Sequence, residues 1–400
     1  MKNPYLLSLP IILATITGML ATDLYLPAVP TLHEHVGGTA VHAQYTLASF
    51  MAAFALGQLI VGSIGDRVEK RKVMFISFAG LALVSLACAW VTDMNLLIAM
   101  RALQGFAAAA SVALAPAMIR ELGDEMTAIK LIGFISSVEA IVPAAAPALG
   151  VWLIAALGWQ ASFYAVALTS IICVVVFWRM PGKPPANTHA LGNPVLLYLR
   201  LLVNKPFMAF TLGHSFGIGA LLTFIFAAPY MLTTLLGHSV STFAWMQVFL
   251  VGSFVIAVNM GPKLVERMGI ETTIVAGGLL QLCGGLALFG VVMMTDTPSI
   301  TSLTLCMIPV NMGLGLRAGP TFTRAMDSAQ APDGSTGALL IFIIALVISA
   351  GTSAVAPFLH LGPWTVGVGV AVQTILCMVS LMVGLSSFKP TPGAQSVSMH

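Results

Sequence analysis

Twelve separate stretches of this chain are each apolar for about 20 residues or more, and that pattern constrains the fold before anything else does. A helix rises about 1.5 Å per residue, so a hydrocarbon layer ~30 Å thick takes roughly 20 apolar residues to cross. The stretches are 6–28, 42–64, 73–92, 95–118, 131–156 and 161–179, then 206–235, 242–261, 272–295, 300–326, 335–359 and 362–386, with a polar segment, 180–205, between the two sets. Only helices and closed barrels satisfy their backbone inside lipid, and these stretches are too long and too evenly apolar for barrel strands. The expected fold class is therefore all-α, a membrane protein of twelve transmembrane helices in two six-helix bundles. The composition agrees: 58% of the chain is hydrophobic and 8% charged, where soluble domains run near a quarter charged. The first stretch runs on to Pro27, longer than the apolar core of a cleaved signal peptide, and is read as span 1.

The charges alternate with the spans. Fifteen of the 17 Lys and Arg residues fall in loops on one side: Lys2, Arg67, Lys70, Arg71, Lys72, Arg120, Lys130, Arg179, Lys183, Arg200, Lys205, Lys263, Arg267, Arg324 and Lys389. The loops on the other side, such as 29–41 and 237–241, hold none. Positive loops stay in the cytoplasm, so twelve spans with both termini cytoplasmic are expected, in a bacterial inner membrane. Arg101 and Arg317 fall inside spans.

Several function classes are excluded or left without support. No basic patch of nucleic-acid size exists. Cys88, Cys173, Cys283, Cys306 and Cys377 sit in apolar runs without a CxxC pair, so neither a disulfide framework nor a metal site is expected. The phosphate-binding GxxxxGK[ST] loop is missing, so an ion gradient is the expected energy source and no cofactor is expected. The division expected is 1–180, a linker at 181–205, then 206–388 and a tail from 389 to 400. A short internal repeat supports two halves: Asp66-Arg67 after span 2 recurs at an offset of 200 as Glu266-Arg267 after span 8. Paired halves around a site at their seam are a common plan of secondary transporters.

The loop after span 2, Gly62-Ser-Ile-Gly-Asp66-Arg67-Val-Glu69-Lys70-Arg71-Lys72, resembles the signature loop of the major facilitator superfamily, with Glu69 where that pattern usually has Gly. Asp23-Leu-Tyr-Leu-Pro27, Arg101-Ala-Leu-Gln104-Gly105 and Pro143-Ala-Ala-Ala-Pro147-Ala-Leu-Gly150 are similar to motifs of its drug/proton antiporters of the Bcr/CflA kind. The resemblance implies a transporter working as a monomer by alternating access, with span 1 beside span 4. It also implies a latch at Gly62, Asp66, Arg67 and Arg71, with the Asp66 carboxylate on the start of span 11 near Gly334-Ser335-Thr336. Pro143, Pro147 and Gly150 would form a hinge or seam.

Two acids lie inside spans, where an ionisable group is costly and usually functional. Asp23 is about 25 Å along span 1 and Arg101 about 9 Å in from the opposite face, a matched depth. Asp23 reads as the acid that trades a proton, or as a structural ion pair or helix-end residue. Arg101 reads as its tuning partner, or as a brace on backbone carbonyls. Glu139, about 12 Å from the cytoplasmic end of span 5, reads as a second proton site admitting cationic substrates, or as a hydrated cavity residue. His214 and Arg317 are weaker candidates. The expected activity is proton-driven export of small, mainly lipophilic compounds, with no enzyme activity and no nucleic-acid partner. Transport of a metabolite or siderophore by the same fold, or a non-transporting receptor, are the alternatives.

Overall fold

A computed structural model describes residues 4–182, 193–295 and 297–388. Lys2, Lys183, Lys389 and the expected tail lie outside these residues. Among the described residues, twelve helical segments are long and apolar enough to cross a bilayer. Spans 1 to 6 are built on helices Pro4–Asp23, Ala40–Arg67, Lys70–Trp90, Met94–Ala108, Glu125–Leu157 and Gln160–Arg179. Spans 7 to 12 are built on Lys205–Tyr230, Val240–Met268, Ile270–Met294, Ile300–Ala329, Asp333–Val355 and Trp364–Ser387.

Helix starts follow from capping chemistry. Asp93, Asp124, Asn204 and Ser299 each accept a hydrogen bond from the backbone N–H three residues on, at 2.8, 2.9, 3.1 and 3.1 Å, satisfying a donor the helix cannot. The cap at Asp124 starts span 5 at Glu125 rather than at 131. Prolines reshape span ends, because proline has no N–H to continue the ladder. Span 1 stops at Asp23 and continues as a 3₁₀ turn, Leu26–Thr31, containing Pro27. Span 4 is broken into Met94–Ala108, Ala110–Ala113 and Ala115–Arg120 ahead of and around Pro116. Span 5, by contrast, runs unbroken through Pro143 and Pro147. The expected linker contains a helix, Pro194–Val203, started by Asn193 and Pro194.

Packing shows two bundles joined at one end. Span 2 packs on span 4 and span 3 on span 6; span 8 packs on span 10 and span 7 on span 12. The halves meet where span 2 crosses span 11 and where span 5 crosses spans 8 and 10. Near the face that carries the basic loops, one apolar core takes residues from both halves, among them Met118 and Ile129 with Phe322, Met326 and Leu340. Toward the opposite face each half has its own core. Tyr25, Leu32, Met94 and Phe163 belong to the first; Phe224, Met231, Leu303 and Val366 belong to the second. Span 11 records the difference along its length, with Gly334–Leu340 buried and Ser349, Ala350, Ser353 and Ala354 exposed. The molecule is thus closed at the basic face, and its halves part toward the other.

Candidate functional site

The first tier lies at the end of span 1. Pro27 stands four residues after Asp23 and has no N–H for the Asp23 carbonyl, so the helix gives way there. The residues just beyond turn inward: Leu24 and Tyr25 are each 1% exposed, while Asp23 is half-buried. Tyr25 packs at a tilt against Phe163, with ring centres 5.2 Å apart, and its hydroxyl shares a 2.8 Å hydrogen bond with Thr46. Arg101 is wholly buried between the rings of Tyr25 and Phe50, at 4.5 and 4.3 Å. One guanidinium nitrogen donates to the Ala21 carbonyl at 3.0 Å and to Gln104, whose amide donates to Ser85 at 2.7 Å. Gly105 completes the motif: a Cβ there would sit 2.2 Å from the Phe50 carbonyl oxygen, so only glycine lets span 4 lie this close to span 2.

Asp23 and Arg101 therefore share a depth, as the helix arithmetic predicts. They are not paired. Among the described residues no ion pair includes Asp23 or Glu139. In this state Arg101 is a brace, tying spans 1, 2, 3 and 6, with Nε and Nη2 left without partners. Arg101→Lys replaces the flat guanidinium lying between two rings by a compact ammonium on a different stem, which cannot stack there and reach both acceptors in the same place. One lost charge-assisted bond amounts to about 2 kcal/mol, so the purified variant is expected to unfold at a lower temperature in a thermal-shift measurement.

The second tier is on span 5. Gly150 lies against span 1, where a Cβ would be 2.6 Å from the Leu24 carbonyl oxygen. Glu139 precedes Gly150 by 11 residues and so lies about 16 Å nearer the basic face. It is about 21 Å along its helix, deeper than the sequence-based figure because the helix begins earlier. Its neighbour Ala140 packs on Phe254, Val258, Leu314 and Ala318 of spans 8 and 10. One turn away, Ser137 accepts a 2.9 Å hydrogen bond from Asn259 across the seam. Glu139 itself is half-buried. Pro143 is four residues on and, like Pro27 after Asp23, leaves the acid's own carbonyl without a helical donor. Each intramembrane acid thus sets a carboxylate beside a freed carbonyl. The side chain of Pro147 lies outside the described residues; Pro143 is exposed.

The third tier closes the basic face. Asp66 ends span 2, 8% exposed, and accepts hydrogen bonds from the backbone N–H groups of Gly334 and Ser335, both at 2.8 Å, and from the Ser335 hydroxyl. These are the unsatisfied donors of a helix N-terminus, where the dipole favours an anion. Gly62, one turn earlier, makes the approach possible: a Cβ there would stand 2.4 Å from Ala338 Cβ and 2.7 Å from the Gly334 carbonyl oxygen. Arg67 holds Ser63 at 2.7 Å. Arg71 does not join the halves; it donates to the Met180 carbonyl at 2.8 Å, capping the end of span 6, and pairs with Glu69 at 2.8 Å.

Around this contact, ion pairs cross between halves. Arg120 meets Asp327 at 2.7 Å and Asp333 at 3.3 Å. Arg324 meets Glu125 at 2.7 Å, and Lys130 meets Glu266 at 2.7 Å. The repeat at an offset of 200 is legible here, since Asp66 reaches span 11 and Glu266 reaches the equivalent start of span 5. The Lys130–Glu266 pair is exposed and contributes about 0–1 kcal/mol, whereas Arg120 and its two carboxylates are part-buried. Lys130→Ala is therefore expected to disturb transport much less than Asp66→Ala, compared as initial rates at equal expression.

Arg317 and His214 form a separate centre in the second half. Arg317 is wholly buried and donates to Gln281, to Cys377 at 3.1 Å and to the Gly213 carbonyl at 3.5 Å. His214 packs edge-on to Phe322, centroids 6.1 Å apart, with Nδ1 unpartnered. Neither residue reaches Asp23 or Glu139 through a recorded bond.

Comparison with known proteins decides the family. A sequence model described as Major Facilitator Superfamily matches residues 11–352. The chain belongs to that superfamily. An uncharacterized MFS-type transporter, YdgK of Bacillus subtilis (strain 168), is 27% identical over 343 residues, covering 81% of this chain and 82% of that protein. A bicyclomycin resistance protein homolog of Haemophilus influenzae is 24% identical over 341 residues, covering 82% of each. Among solved structures, the E. coli fucose:proton symporter FucP superposes with a TM-score of 0.76 at 10% identity, covering 97% of this chain and 100% of that one. At that identity the likeness concerns the fold alone. As a superfamily member the protein is a multi-pass membrane transporter and not an enzyme.

The superfamily signature loop thus has a local account. Glu69, where the pattern usually has Gly, pairs with Arg71 and Lys72 at 2.8 and 3.3 Å. The sequence reading passed over Tyr25, Gln281 and the Arg120–Asp327–Asp333 set. Tyr25 had a signal, since it stands two residues beyond an intramembrane acid. The acidic residues of the ion-pair set carry no pairing information in the sequence, since their partner Arg120 lies more than 200 residues away.

Proposed function

We propose that this transporter exports small, mainly lipophilic compounds in exchange for protons, by alternating access, as a monomer in a bacterial inner membrane with the basic face and both termini in the cytoplasm. The observation that carries the reading is the pair of half-buried carboxylates, Asp23 and Glu139, that have no ion-pair partner although they lie at membrane depth. A carboxylate held in an apolar layer without a counter-charge binds a proton more readily than one in water. Access to water then decides when the proton leaves. With the cytoplasmic face latched by Asp66, Asp23 lies on the side where the halves part and is placed to meet external protons. When the halves rock, the Asp66 contact is released and the cavity faces the cytoplasm.

Glu139 lies lower, at the seam, beside apolar residues of spans 8 and 10. A mobile, adaptable apolar wall suits varied substrates, and an acid in it suits a cationic one. The relative named for bicyclomycin resistance supports a drug-like substrate class. Glu139→Gln is expected to reduce export of lipophilic cations at least about tenfold, one ion-pair equivalent of about 1.4 kcal/mol, while neutral compounds are spared. A compound-panel growth assay in a strain lacking its main pumps, with fluorescent-cation efflux alongside, measures this. Equal loss for neutral and cationic compounds would remove Glu139 from substrate selection.

A further inference from the structure

The helix found inside the expected linker, Pro194–Val203, has two apolar faces. One carries Leu197, Tyr198 and Leu201 and packs on the protein. It lies against spans 7 and 11, and Leu201 is buried in the core that both halves share. The other carries Val195, Leu196, Leu199, Leu202 and Val203, all exposed, with Val203 at 81% and Val195 at 64%. At about 100° per residue these five positions fall within an arc of about 120°, one unbroken stripe. The Tyr198 hydroxyl donates to the Leu59 carbonyl of span 2. Leu59 comes eight residues before the end of that helix at Arg67, about 12 Å inside it. Tyr198 therefore points from the helix toward the interior of the membrane. Arg200, two residues on, is turned about 200° from it and points back toward the level of the basic loops. Arg200 is exposed, as is Lys205 just beyond the helix. Neither belongs to an ion pair among the described residues. No acidic residue lies between Asn193 and Lys205.

We propose that this helix docks on the bilayer leaflet at the basic face, its stripe among the acyl chains and Arg200 on the headgroup of an anionic phospholipid. Three observations select lipid as the occupant. The helix is continuous with the spanning part of the chain, because Asn204 ends it and caps span 7. Its tyrosine reaches well below the end of span 2, which sets the helix at the boundary between headgroups and chains. Helices with one apolar stripe settle there, about 5–10 Å deep. Its charge is basic without a neighbouring acid, and a guanidinium offers paired donors that match the oxygens of a phosphate. A long side chain on the border of an apolar stripe keeps its stem in the chains and its head at the polar level. The site lies beside the contact of spans 2 and 11, since Tyr198 is close to Asp66 and Ser335, and it is separate from the tiers of Asp23 and Glu139.

The test is fluorescence quenching on the full-length protein in lipid nanodiscs. A bimane is attached to Leu199→Cys, with the exposed Cys283 replaced by serine; Val195→Cys, on the same stripe, is the second reporter should the first variant fail to fold. Brominated phospholipid is expected to quench the dye strongly and aqueous iodide hardly at all. Strong quenching by iodide with little by brominated lipid would place the stripe in water and overturn the docking. Quenching by neither would mean that protein covers the stripe, a second copy of the chain included, and would overturn it as well. Brominated phosphatidylglycerol and brominated phosphatidylcholine then separate the headgroups. Half-quenching is expected at about fivefold less phosphatidylglycerol than phosphatidylcholine, the effect of one basic residue at an anionic surface. Arg200→Gln should bring the two lipids close together. Equal quenching by both in the presence of Arg200, or a preference undiminished in Arg200→Gln, would overturn the assigned headgroup contact. The readout is proximity to lipid, so failure here leaves the export proposal standing, and failure of export leaves this surface standing.

Discussion

Leucine at position 62 is expected to stop transport altogether while the protein still inserts and folds. The first carbon of any side chain there would overlap Ala338 and the Gly334 backbone, and backbone does not move aside cheaply. Spans 2 and 11 would be wedged apart, and the basic end could not close. Asp66→Ala leaves the approach possible but removes three hydrogen bonds to a charged acceptor. Taking roughly 3 kcal/mol for the set, because the freed N–H groups and hydroxyl at this face regain water, the ratio of closed to open basic face moves about a hundredfold. Both effects can be read in membranes by maleimide labelling of a cysteine introduced at Ala331, in a background where the exposed Cys283 is serine. Labelling should rise in the order wild type, Asp66→Ala, Gly62→Leu. Transport should fall in the same order. Wild-type labelling and turnover in Gly62→Leu would mean that the contact between spans 2 and 11 plays no part in the cycle.

Asparagine at position 23 should separate movement from energy. It keeps the shape and the freed carbonyl of the site and removes the proton. Substrate binding and exchange of substrate for substrate across the membrane are expected to persist, since neither needs a proton to be carried. Net, uphill export should drop to background. The brace at Arg101 should be untouched, because its bonds go to Ala21 and Gln104 and not to Asp23. A thermal unfolding midpoint unchanged from wild type would show this. Uphill export surviving in Asp23→Asn would assign the coupling proton elsewhere, with Glu139 next in line.

The architecture was legible because lipid leaves few choices. Twelve apolar stretches and a one-sided charge pattern permit little besides twelve helices, and the helices begin within a few residues of where they are expected. Boundaries were missed where a cap or a proline decided them, as at Asp124, Pro27 and Pro116. The helix at Pro194–Val203 was missed because it is too short to span and sits in a segment read as a linker. The contact between Asp66 and the start of span 11 was legible down to Gly334 and Ser335, from a motif and from the chemistry of helix ends. The relation of Asp23 to Arg101 was half legible. Rise per residue gives depth, so the common tier was anticipated. It does not give the direction of a side chain, and Tyr25 and Phe50 turned out to be what the guanidinium faces. The contribution of Pro27 and Pro143, each four residues beyond an acid, was present in the sequence as spacing; only Pro143 was noticed, and for its bend.

The central claim is that protons and substrate exchange through the tier at Asp23, and proton movement tests it most directly. In everted membrane vesicles with a respiration-driven acid interior, a pH-sensitive dye reports release of lumenal protons when a transported compound is added. The wild type should show a prompt, substrate-dependent rise in lumenal pH, and Asp23→Asn should show none at equal protein. An equal proton release from both, or substrate accumulation in the wild type without any, would contradict the account.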